Sequence, residues 1–155
     1  MGNKIQFILV FVFVLTVFTE YSFTQEIKAN ESFGYSAYSN ILKLTAIQVA
    51  ENEITIKVFE TGGGDPLMNG NKLILNICEW DYADGNCYTW DTGINIYEVK
   101  SISVIDNKCI IKCTEHIVNV NNEQIKTISF KYSISFYFDK DNHLKNKIKI
   151  EKSKI

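Results

Sequence analysis

The chain contains no arginine: its sixteen basic residues are all lysine, set against eighteen acids. Bidentate grips on phosphate or guanine depend on guanidinium, so a nucleic-acid partner is not expected. Proline occurs once and glycine eight times in 155 residues, which excludes collagen-like and proline-rich disordered chains. Alanine and leucine are scarce, which argues against a helical bundle. There is no internal repeat and no low-complexity linker. Several catalytic and binding motifs are also missing. The chain has no Cys-x-x-Cys, no His-Glu-x-x-His and no Gly-x-Ser-x-Gly, and the glycines at 62–64 lack the Lys-Ser/Thr of a phosphate loop.

Long apolar runs are absent too, with one exception. Residues 7–18 (FILVFVFVLTVF) follow Lys4 and end before Glu20. Twelve apolar residues are too few for a stable bilayer span, which takes ~20, but they suit the core of an export signal. The expectation is a signal peptide over residues 1–24, cut after Thr24 with Ser22 and Thr24 as the small residues. That leaves no stable membrane anchor and a protein secreted or delivered to a periplasm. Residues 25–36 then read as an N-terminal arm, and 37–155 as a single domain. Asn30-Glu-Ser32 matches a glycosylation acceptor.

What the chain does contain is β-forming. Apolar residues make up 46% and aromatic residues 13%, and period-two alternation recurs along the body. It is cleanest at 127–138, where Ile128, Phe130, Tyr132, Ile134, Phe136 and Phe138 alternate with polar residues and Tyr137. Residues 72–79 are apolar on both faces, the mark of a strand inside a sheet. Residues 87–90 and 94–105 read as one long broken strand whose apolar phase changes between Ile96 and Tyr97, implying a bulge or bend. Lysines alternating with Ile148 and Ile150 read as a protected edge strand. The fold class expected is all-β, an antiparallel sandwich of seven to eight strands, with a calycin-like up-and-down barrel as the alternative.

Cys78, Cys87, Cys109 and Cys113 form an even set in a chain expected to be exported, so disulfides are expected at all four. Cys109 and Cys113 cannot pair with each other on a regular strand. Four extended residues separate their Cα atoms by ~13 Å, whereas a bridge needs under about 7 Å. Zinc held by Cys109, Cys113 and His116 would need tighter cysteine spacing. Neither metal nor cofactor is expected.

Charge is unevenly spread. Residues 26–99 carry a net −7 and residues 100–155 a net +5, counted from four lysines with eleven acids and eleven lysines with six. The acidic half holds the most distinctive segment, CEWDYADGNCYTWD at 78–91. Aromatic faces beside carboxylates are what sugar recognition uses. Trp80, Asp81, Tyr82, Asp84, Tyr88, Trp90 and Asp91 are therefore the candidate ligand-binding residues. No catalytic residue is nominated. The function expected is a non-enzymatic exported binding module for a glycan or protein partner. One alternative is a barrel carrying a small apolar ligand along the aromatic row of 130–138. The other is a hydrolase using the loop carboxylates.

Overall fold

Period-two alternation and β-branched residues give strands over most of the described residues. The structure is a computed structural model, and it describes residues 23–28, 40–62, 69–81, 84–119 and 124–155. The leader through residue 22, the acceptor Asn30, residues 63–66 of the glycine loop and Tyr82 lie outside these residues.

Nine strands follow in order: β1 (Phe23–Ile27), β2 (Ile41–Val49), β3 (Ile54–Thr61), β4 (Asn71–Glu79), β5 (Cys87–Ile96), β6 (Glu98–Ile105), β7 (Lys108–Asn119), β8 (Gln124–Phe138) and β9 (Leu144–Lys154). They build a five-stranded sheet, ordered β1-β9-β8-β7-β6, and a four-stranded sheet, ordered β2-β3-β4-β5. All pairings are antiparallel. The sheets pack face to face as a β-sandwich, and among the described residues each ends in two edge strands, so the barrel alternative is corrected.

Inward residues of β3, β4 and β5, among them Ile56, Leu75 and Trp90, meet Ile111, Ile134 and Ile148 from the other sheet. All six are at most 1% exposed. Tyr132 and Phe136 belong to this packed core and Phe130 and Phe138 pack against it, so the aromatic row of β8 helps fill the sandwich and encloses no barrel interior.

Three local features differ from expectation. The phase change at Ile96/Tyr97 is more than a bend. β5 ends at Ile96 in one sheet and β6 begins at Glu98 in the other. The stretch read as one broken strand is therefore two, because the inward direction reverses when the chain changes sheet. Secondly, β9 is not an edge. Its lysine-bearing flank is covered by β1, which pairs Gln25 with Ile150 and Ile27 with Ile148. Thirdly, residues 23–27, which straddle the expected cut after Thr24, form a strand, and this raises the strand count to nine.

The turns follow their residues. Asp106 and Asn107 both have positive φ, 48° and 57°, the two-residue hairpin geometry that matches strand twist. β2 turns into β3 through a short 3-10 turn, Ala50–Asn52, and Glu53 at φ 51°. Between β8 and β9, the Asp139 carboxylate accepts N–H bonds from Asp141 and His143, both at 2.9 Å. The His143 bond leads in holding the Asp139 carboxyl below its usual range, and the Asp141 bond adds to it. These last two turns lie at the same end of the sandwich as the end of β4.

Candidate functional site

The cysteine-flanked loop is anchored before it does anything else. Cys78 on β4 faces Cys87 on β5, and the two are disulfide-bonded. Asn76, on the same face, donates to Tyr88 O at 3.2 Å and to Thr89 Oγ1 at 3.0 Å. Glu79 closes the base of the loop. Its backbone N–H donates to Asn86 O at 2.9 Å, and its carboxylate accepts the Asn86 N–H at 2.6 Å. The other carboxylate oxygen accepts the Leu144 N–H. One acid thus ties the loop to itself and to the start of β9.

That anchoring fixes Trp80. Its backbone N–H donates to Glu53 O at 2.7 Å, and its indole Nε1–H donates to Thr55 Oγ1 at 2.9 Å. With the polar atom satisfied by the protein, the residue remains 38% exposed. Beside it is a cleft of about 200 Å³. Asn52 and Glu53 come to it from the β2–β3 turn, Glu79 and Asp81 from the loop, and Asp141, Asn142 and His143 from the β8–β9 turn. His143 Nδ1 lies 3.6 Å from Glu79 Oε2. Four carboxylates and one indole surround a space the size of a small ring. Acceptors dominate its rim, since carboxylates only accept.

The structure keeps only part of the expected cluster here. Trp80 and Asp81 line the cleft. Asp84 is exposed in the turn beyond it, where its N–H is 3.5 Å from Asp81 Oδ1. Trp90 is 0% exposed in the core, opposite Leu75, and is corrected from binding residue to packing residue. Tyr88 packs against the core and against Trp90, with ring centroids 5.8 Å apart. Both follow from alternation: even positions along the start of β5 point inward. Asp91 belongs to a different neighbourhood, paired with Lys72 and accepting the Gly93 N–H at 3.1 Å. Of the loop carboxylates, Glu79 and Asp81 line the cleft, whereas Asp84 and Asp91 lie away from it.

Glu53, Asp141, Asn142 and His143 were not candidates from the sequence. Each sits in an ordinary polar turn, and only the sheet order brings those turns beside Trp80.

The other two cysteines require a correction. Cys109 and Cys113 are free and buried on the inward face of β7. Neither pairs with Cys78 or Cys87, because those two already face each other on the outer side of the opposite sheet. Burial pushes the thiols of Cys109 and Cys113 up to about 12. For Cys113 the nearby Glu115 adds to this, and Lys152 opposes it. His116 points the other way and stacks on Tyr97 at 4.0 Å, so the possible zinc set is spread over two faces. Comparison with protein-family models, with curated proteins and with solved structures finds no match.

Proposed function

We propose that the protein is an exported, non-enzymatic binding module that takes the end of a glycan into the Trp80 cleft. The observation that carries this reading is the posture of Trp80. The indole is held by Thr55 and the Trp80 backbone by Glu53, yet the residue stays 38% exposed and lines a cleft ringed by Glu53, Asp81 and Asp141. A fixed aromatic face loses little side-chain entropy on binding, and the surrounding carboxylates accept from hydroxyl groups. Concavity and small volume favour a sugar ring over a flat protein surface. The Cys78–Cys87 bridge supports export, since such bonds persist in oxidising compartments.

Intrinsic fluorescence during glycan titration tests this, because Trp90 is buried and Trp80 is the solvent-facing indole. A recognised glycan shifts Trp80 emission, Trp80→Ala abolishes binding, and Trp80→Phe retains part of it. A glycan panel that leaves the emission unchanged overturns the reading, as does a Trp80→Ala variant that binds like the parent.

A further inference from the structure

A second concavity lies near the opposite end of the sandwich, between the free edge of β5 and the β1–β9 side of the other sheet. Its position follows from register: Asn95 stands opposite Lys72 at the start of β4, whereas Trp80 follows the end of that strand. The cleft measures about 400 Å³, within the range of small-molecule sites. It opens where β5 bulges. Between Asp91 and Asn95 the pairing with β4 skips, Thr92 Oγ1 donates to Leu73 O at 2.6 Å, and Gly93 takes φ +66° with nothing near its missing Cβ.

Three polar side chains meet at its inner wall. Glu115, at an inward position of β7, accepts the Tyr132 O–H at 2.5 Å and a Lys152 N–H at 2.7 Å. The Lys152 ammonium also sits over the Phe130 ring, 3.9 Å from its centroid. A buried ion pair contributes little net stability compared with apolar packing, so the sandwich does not need this cluster merely to hold together. Its hydrogen-bond accounting is informative. Both Glu115 oxygens are engaged, and Tyr132 has spent its proton on Glu115. Lys152 carries three N–H donors, and among the described residues Glu115 is its hydrogen-bond acceptor. Of the three, the group left to meet a ligand is therefore the cation. The adjoining cleft, of about 530 Å³, adds Lys28 and the paired Lys72 and Asp91. Ile94 and Ile150, core residues 5% and 2% exposed, give the cleft an apolar floor beside Lys152.

We propose that this cleft binds a small organic acid, its carboxylate on the Lys152 ammonium and its apolar body over the floor formed at Ile94 and Ile150. The site is separate from the Trp80 cleft and opposite to it in charge preference.

Nuclear magnetic resonance titration of the full chain with hexanoate and benzoate, beside hexanamide and benzamide, tests the proposal. The acids saturably shift the amides of Gly93, Asn95 and Lys152, and the uncharged amides bind about tenfold more weakly or worse. Lys152→Gln weakens hexanoate by a similar factor. Asn95→Trp, at an exposed position outside the ion pair, blocks the mouth and removes binding while leaving the melting temperature unchanged. Trp80→Ala leaves hexanoate binding intact. Should Lys152→Gln fail to fold, Asn95→Trp decides alone. Equal binding of acids and amides overturns the site, as does a lack of saturation or full affinity in the Asn95→Trp variant.

Discussion

Cys78 stands directly across the β4–β5 ladder from Cys87, with Cα atoms 4.0 Å apart, while Cys109 and Cys113 lie in the core without sulfur partners. Native alkylation therefore leaves all four cysteines unlabelled. In denaturant without reductant, Cys109 and Cys113 alone are labelled, and reductant then exposes the other two. Peptide mapping by mass spectrometry reads this directly. A bridge joining either of the first two to either of the second two would contradict the register.

The two tryptophans should separate cleanly in stability. Trp90→Ala removes a fully buried ring from the centre of the sandwich and should cost about 3–5 kcal/mol. Trp80→Ala loses a half-exposed ring and one hydrogen bond, a cost of about 1 kcal/mol. Urea unfolding of both variants checks the difference. Comparable losses would mean that Trp80 is structural and would weaken its role as a contact surface.

The fold class was legible because it rests on alternation, a local signal. Residues 72–79 read as interior from their two apolar faces, and β4 is interior. Sheet membership was less legible. The reversal at Ile96/Tyr97 has the same local appearance whether a strand bulges or changes sheets. β1 escaped notice because five residues beside an apolar leader show no sustained period, and the status of β9 as an interior strand depends on it. In the candidate site, Trp80 and Asp81 stood out by composition. Their partners Glu53, Asp141 and His143 lie 27 residues before Trp80 and 61 and 63 residues after it, and meet only through topology. Glu115 and Lys152 looked like two ordinary surface charges until register turned both inward.

Glu60 gives the sandwich a defined pH response. Its carboxylate is buried, with Lys43 Nζ 3.6 Å away and Oε1 lacking a hydrogen-bond partner. Burial pushes its pKa up, and the Lys43 charge only partly offsets this. A raised folded-state value means that the native state holds this proton more tightly than the unfolded chain does. Stability from this group is therefore greatest below the ordinary glutamate range and falls as pH rises through the folded value. Glu60→Gln should gain on the order of 1 kcal/mol at neutral pH and lose that advantage in acid. Denaturation midpoints for both proteins across this range check the sign; an advantage that grew on acidification would reverse it.

β1 offers the last prediction, because its pairing connects the leader to the fold. A cut after Thr24, as proposed for export, removes Phe23 and Thr24 from the strand but leaves Gln25, Glu26 and Ile27 opposite Ile150, Lys149 and Ile148. Lys147 also reaches Glu26 at 2.9 Å, an exposed pair that adds little by itself. The retained pairs keep β9 covered, and Ile27 stays packed against the core. A chain starting at Gln25 should therefore keep the hydrogen-exchange protection of the β9 amides facing Gln25–Ile27. A chain starting at Ala29 should lose it, together with about 1–3 kcal/mol from the exposed Ile27 contact and the unpaired ladder. It also presents a bare strand edge whose lysines Lys145, Lys147 and Lys149 oppose self-association. Reduced stability without aggregation is the expected outcome, and sedimentation of the shortened protein distinguishes it from edge-to-edge pairing.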